Sequence, residues 1–160
     1  MSPKVHIRRA EESDKESLVE FNVAMALETE DISLDRQILS KGVIAIFDNP
    51  DYGVYYVAEY SGEAVAGLLI TYEWSDWRNG MFWWIQSVYV KPAHRRKGIF
   101  KALFQYLEDI IRDEQHIVGL RLYVERNNLA ARKTYEELGM QKTTYRLYEK
   151  LKPKPSQNNC

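Results

Sequence analysis

Cysteine is almost missing from this 160-residue chain: Cys160, the last residue, is the only one. An intrachain disulfide and a cysteine-based metal site are therefore excluded, and a covalent cysteine route has no nucleophile outside the tail. A reducing, cytoplasmic setting is the expectation. Histidine is scarce too, and His6, His94 and His116 have no ligand spacing among them, so no metal is expected. No apolar run approaches the length of a signal core or a membrane span, and Met1 to Ala10 is polar and charged; neither secretion nor membrane insertion is expected. A formal net charge of -1 supplies no global field to hold a polyanion. The chain shows no internal repeat and no second-domain linker.

What is there reads as a self-sufficient globular chain. Hydrophobic residues make up 45% and charged residues 28%, the balance of a soluble domain rather than a disordered one. A domain of this length buries roughly 70% of the surface its unfolded chain exposes. One domain over residues 1–151 is expected, followed by a loose tail over 152–160, where Lys152-Pro153-Lys154-Pro155 and the polar residues beyond cannot pack.

Periodicity places the elements. Val5 to Arg8 alternates as a strand, and Glu12 to Leu27 carries Leu18, Phe21 and Met25 on a helical stripe. Asp31-Ile32-Ser33 offers caps for a second helix with Leu34, Ile38 and Leu39, ending before Asn49-Pro50. Val54 to Tyr60 and Ala64 to Tyr72 form a hairpin across Ser61-Gly62-Glu63, and Asn79-Gly80 turns the chain into a strand from Phe82 to Val90. A helix from Gly98 to Asp113 and a strand from Gly119 to Val124 complete a βαβ crossover. Asn128 to Leu138 reads as a helix stopped by Gly139, and Thr143 to Tyr148 as a last strand. The fold class is mixed α/β, a mostly antiparallel sheet with helices on both faces.

The basic residues gather at one turn. Val88-Tyr89-Val90 leads through Lys91-Pro92-Ala93-His94 into Arg95-Arg96-Lys97-Gly98, where the helix carrying Ile99, Phe100 and Lys101 begins. Leading amides of a helix have no intrahelical acceptor, and the helix dipole adds positive charge there, so a pyrophosphate fits. Gly98 has no Cβ to hold a phosphate off the backbone, and the cations add charge-assisted contacts. The plain alternative is a turn glycine beside a solvated basic cluster.

At these residues the chain resembles the GNAT superfamily of acyl-CoA N-acyltransferases. Its fingerprint is Arg or Gln, two variable residues, Gly, one variable residue, then Gly or Ala. Arg95 and Gly98 match; Phe100 stands where the last small residue would be. The resemblance extends to Ile7-Arg8-Arg9-Ala10 with Asp14, and to the late spacing of Asn128, Ala131, Tyr135 and Gly139. It implies a groove for acetyl-CoA between the strand ending at Val90 and the strand beginning near Gly119. Backbone groups of Val88, Tyr89 and Val90 would align the pantetheine, with an N–H at Val88 polarising the thioester carbonyl. Asn128 and Ala131 would meet the coenzyme, and Tyr135 would protonate the departing thiolate.

Asn128 and Tyr135 lie seven positions apart, about two turns, so a continuous helix sets them on one side. Asn128 also reads as an N-cap, and Tyr135 as an amphipathic core tyrosine. Several members of the resembling family carry a glutamate where this chain has Gln86, which cannot act as a base. Proton removal then falls to a water chain or to a carboxylate such as Glu73 or Asp76.

The acceptor expected from the resemblance is a small-molecule or peptide amine. Glu28, Glu30 and Asp31, with a second segment holding Tyr72, Glu73, Trp74, Asp76 and Trp77, suggest an acidic and aromatic mouth for a small cationic primary amine. Two other readings remain: a non-catalytic acyl-CoA sensor on the same fold, and a nucleic-acid module stacking bases on Trp74, Trp77, Trp83 and Trp84. Basic residues confined to one turn disfavour nucleic acid as a partner. The oligomeric state stays open, a homodimer included.

Overall fold

The computed structural model describes residues 4–154. Cys160 and the part of the expected tail from residue 155 onward lie outside them. The chain divides between Tyr123 and Val124 into two compact units. The first holds strand β1 (His6–Arg9), helices α1 (Lys15–Glu30) and α2 (Arg36–Asp48), strands β2 (Val54–Tyr60), β3 (Glu63–Ser75) and β4 (Gly80–Val90), helix α3 (Ile99–Asp113) and strand β5 (Ile117–Leu122). The second holds helix α4 (Leu129–Glu137).

The five strands form one sheet in the order β1-β2-β3-β4-β5. Neighbours run antiparallel except β4 and β5, which are parallel and joined through α3, as the βαβ reading requires. The β2–β3 hairpin turns on Ser61 and Gly62, at φ 51° and 80°, the paired left-handed conformation that matches strand twist. Glu63 accordingly joins β3 rather than the turn.

Alternation sorts side chains to two faces. Tyr55 and Val57 of β2 join Leu18, Phe21, Val43 and Tyr89 in a buried cluster under α1 and α2. Tyr56, between them, points the other way and meets Tyr106 of α3 edge-on at 5.7 Å. The helices thus cover opposite faces. On α3, Leu103, Phe104 and Leu107 form the buried stripe.

Four sequence expectations move. The first helix starts at Lys15, because Asp14 is fixed in the preceding 3-10 turn: its carboxylate accepts the Glu11 amide at 2.7 Å and Arg8 Nη1 at 2.7 Å. The cap of α2 is Asp35, accepting the amides of Gln37 and Ile38, rather than Asp31-Ile32-Ser33; Asp31 instead closes α1 in the left-handed region at φ 54°. β5 runs from Ile117 to Leu122, not from Gly119 to Val124. The expected strand at 143–148 does not form. Tyr145 is 73% exposed, Leu147 70% and Tyr148 90%, and among the described residues no strand pairs with this segment. Alternating pattern does not make a strand without a ladder to join.

Candidate functional site

The pairing of β4 with β3 slips along its length. Tyr89 faces Gly67 and Gln86 faces Leu69, so β4 spans with Ser87 and Val88 what β3 spans with Leu68 alone. Ser87 absorbs the extra residue in the left-handed region at φ 52°. Such a bulge unpairs ladder groups and re-aims the strand. On the opposite side the parallel ladder with β5 ends at Ile85 and Leu122. The Lys91 amide donates to Val65 on β3 at 2.9 Å, so by alternation the amide of Tyr89 faces β3 while that of Val90 faces the β5 side; Val88 lies in the bulge itself. The opening lies past Ile85 and Leu122; Gly119, the expected border, sits inside the ladder opposite Phe82.

From Val90 the chain turns into α3. Arg96 and Gly98 take left-handed φ values of 60° and 76°, and Gly98 is the N-cap of α3 without a side chain to cap it. The leading amides of α3 therefore point out of the helix. A Cβ on Gly98 would meet nothing within 4 Å, so its surroundings are open and the glycine is required by its φ rather than by crowding. Ile99 is buried and anchors the helix start from below.

The cations of the turn separate into two groups. Lys91 pairs with Glu63, and Arg95 pairs with Glu28 at 2.7 Å. Arg96, Lys97 and Lys101 are exposed and form no ion pair among the described residues. An uncapped helix start with three uncommitted cations can hold a phosphate or pyrophosphate.

Gln86, the residue before the bulge, donates through Nε2 to Thr71 Oγ1 at 2.5 Å. Trp84 shares its face of the sheet and stacks on Tyr123 at 4.6 Å. Further along that face Arg121 donates to Glu73 at 2.5 Å and lies 3.7 Å over the Phe82 ring. The Glu73 carboxylate is therefore already engaged, and Asp76 accepts the Trp77 amide at 2.9 Å.

The two acidic segments are not brought together. Glu28 bonds to Tyr89, whereas Glu73 faces Phe82, seven residues back along β4, roughly 20 Å at strand rise. Glu30 and Asp31 are exposed at the end of α1; Trp74 and Trp77, 57% and 85% exposed, belong to the far β3–β4 hairpin.

In the second unit Asn128 is the N-cap of α4, its Oδ1 accepting the Ala131 amide at 3.2 Å. Tyr135 lies on the same side of α4 two turns on. Burial pushes its phenol above the ordinary value. The helix closes where Met140 N–H donates to Tyr135 C=O at 3.0 Å and Gly139 sits at φ 90°.

Sequence reasoning missed Ser87, Thr71, Arg121 and the partnership of Glu28 with Tyr89. The bulge shows in the register rather than in the residue pattern: Phe82, Trp84 and Gln86 alternate on one face, and the next member of that face, Tyr89, comes after three residues instead of two.

This arrangement is that of an acyltransferase fold, and comparison with known proteins places it. The family model for the acetyltransferase (GNAT) family matches residues 16–140, and the chain belongs to that family. Among solved structures, a possible acetyltransferase from Clostridium difficile 630 is 45% identical, with 94% of this chain and 99% of that one covered and a TM-score of 0.88. A predicted acetyltransferase with acetyl-CoA from Clostridium acetobutylicum shares the fold at 21% identity and a TM-score of 0.73, covering 92% of this chain and 96% of that one. The N-terminal acetyltransferase B complex catalytic subunit NAA20 of Arabidopsis thaliana is 32% identical over 93 residues, which is 56% of this chain and 50% of that protein. The match thus spans half the length of that relative. Among the described residues no helix is long and apolar enough to cross a membrane.

Proposed function

We propose that this chain transfers an acetyl group from acetyl-CoA to a primary amine in one direct step. The observation that carries the reading is the pairing of the β4 bulge with the uncapped start of α3. The Val90 amide turns from the sheet toward the opening, Val88 lies in the bulge beside it, and the N-cap Gly98 follows eight residues after Val90. Phosphate anchoring and alignment of an extended amide-bearing arm need these two features in this order.

Arg96, Lys97, Lys101 and the leading amides of α3 are assigned to the pyrophosphate. The Val88 amide is assigned to the thioester carbonyl, where a well-placed donor contributes roughly 2.7 to 4 kcal/mol in a dry site. Asn128 and Ala131 keep the coenzyme role that the family resemblance implies. In the transfer, the neutral amine nitrogen bonds to the acyl carbon, the carbon–sulfur bond breaks, and the amine proton leaves through water. By the family resemblance Tyr135 supplies the proton that the thiolate takes up; a phenol is protonated at neutral pH at its ordinary value, and burial moves it further in that direction.

A nitrogen acceptor is supported by the N-terminal acetyltransferase subunit among the relatives. For the acceptor we retain a primary amine, free or at a peptide end; a preference for positive charge loses its support with the two acidic segments apart. Two tests decide the reading: calorimetric titration with acetyl-CoA, and a screen of amine classes read as free thiol. Coenzyme binding with thiol release by no amine class would instead support a non-catalytic acyl-CoA sensor. A chain that binds no acetyl-CoA would overturn the proposal.

A further inference from the structure

Arg95 opens the proposed coenzyme turn, yet its side chain is directed away from it. The residue is extended, at φ -72° and ψ 156°. Its Nε donates to the Val90 carbonyl at 2.8 Å and its Nη2 to Glu28 Oε2 at 2.7 Å. The guanidinium carbon lies 5.4 Å from the centre of the Tyr89 ring. The Tyr89 hydroxyl donates to the other oxygen, Glu28 Oε1, at 3.2 Å. Tyr89 in turn packs against Phe21 of α1, ring centres 5.5 Å apart. One carboxylate in the last turn of α1 thereby joins the end of β4 to the first residue of the turn, across 67 positions of sequence.

We propose that Glu28 is a positioning residue of the coenzyme turn, acting through Arg95, and not a ligand of the acceptor. The inference rests on the acetyl-CoA reading of that turn. A planar guanidinium with one donor on a backbone carbonyl and another on a carboxylate is fixed in direction, because both contacts must be kept at once. The carbonyl it holds belongs to Val90, one of the residues whose backbone borders the opening, and the chain leaves Arg95 directly into the left-handed Arg96. Glu28 therefore sets where the turn begins. Phosphate charge is met by Arg96, Lys97 and Lys101, whose side chains have no ionic partner among the described residues.

The test is a paired measurement on Glu28→Gln, Arg95→Ala and the double variant Glu28→Gln/Arg95→Ala in the full chain. Calorimetry with coenzyme A gives affinity; initial rates with the best amine from the screen give separate KM values. Glu28→Gln is expected to weaken coenzyme A binding and raise the KM for acetyl-CoA by about fivefold, with the amine KM held within about twofold and the melting midpoint near the parent's. Arg95→Ala should show a similar loss, and the double variant no more than the larger single loss, since both break one link. Tyr89→Phe, which removes only the hydroxyl contact, should give a smaller loss of the same kind and serves if the other variants do not fold. A raised amine KM with unchanged coenzyme affinity in Glu28→Gln overturns the assignment, as do fully additive losses. Absence of coenzyme A binding by the parent overturns the acetyl-CoA reading and this assignment with it. Parent binding with equal binding by Glu28→Gln overturns this assignment alone.

Discussion

Gln86 Nε2 donates to Thr71 Oγ1 at 2.5 Å, one residue before the left-handed Ser87 that starts the bulge. The side chain beside the proposed reacting centre is thus tethered and neutral. Gln86→Glu would set a carboxylate there, accepting a hydrogen bond from the Thr71 hydroxyl and able to take the amine proton. Turnover at neutral pH is expected to rise, by up to about 10²-fold if proton removal limits the rate, with acetyl-CoA affinity unchanged. Thiol release against pH is the measurement. A Gln86→Glu protein no faster than the parent would place the limiting proton transfer elsewhere.

Gly98 separates strain from charge in a way that few positions allow. Open space surrounds its Cβ direction, so Gly98→Ala carries only the cost of a left-handed φ, about 1 kcal/mol. Gly98→Glu adds an anion at the proposed pyrophosphate site. Coenzyme affinity should fall at least about tenfold further in the glutamate variant than in the alanine one. Equal affinities in calorimetry would show that the helix start does not hold the phosphates.

Where neighbours in sequence decide structure, the chain was legible. Ser61-Gly62 and Asn79-Gly80 announce their turns, the apolar stripe on α3 carries Ile99, Leu103, Phe104 and Leu107, and Gly98 falls at the helix start. Boundaries set by distant partners were not. Asp14 joins the turn before α1 because Arg8 and the Glu11 amide hold it, and Asp35 outcompetes Asp31 as cap because Asp31 is used to end α1. Arg95 reads as a phosphate ligand from its neighbours, while its partner Glu28 stands 67 residues away and is found only once α1 lies across β4. Thr143 to Tyr148 has the pattern of a strand and no ladder, a matter that periodicity does not address.

Asp14 gives the fold a dependence on pH with a definite sign. Its burial would raise the pKa, but hydrogen bonds from Arg8 and the Glu11 amide, with the Arg8 charge, outweigh burial and hold the carboxyl below its ordinary value of 3.8. A depressed folded pKa means that ionised Asp14 stabilises the fold above the unfolded value, and that this contribution is lost as pH falls through the folded pKa. Asp14→Asn should therefore cost about 1.5 to 3 kcal/mol near neutral pH and much less near about pH 2. Urea midpoints at the two pH values check it. A penalty that persists in acid would assign the effect to packing.

Tyr135 is the remaining test of the chemistry. The phenol lies in α4, on the side of the helix that carries Asn128, and burial raises its pKa above the ordinary 10.0. A raised value keeps the proton on the oxygen across the working range, which a donor to a thiolate requires; deprotonation of this group can lower activity only above about pH 10. Tyr135→Phe keeps the ring and removes the proton. Acetyl-CoA affinity should stay within about twofold, while kcat falls by about 10²-fold, the low end for loss of a general acid. The variant's rate should also depend more steeply on the pKa of the leaving thiol than the parent's: with acyl donors whose thiols are more acidic than coenzyme A, the parent-to-variant ratio should shrink, because a better leaving group needs less protonation. A Tyr135→Phe protein with full kcat and an unchanged ratio across donors would reassign Tyr135 to packing in α4.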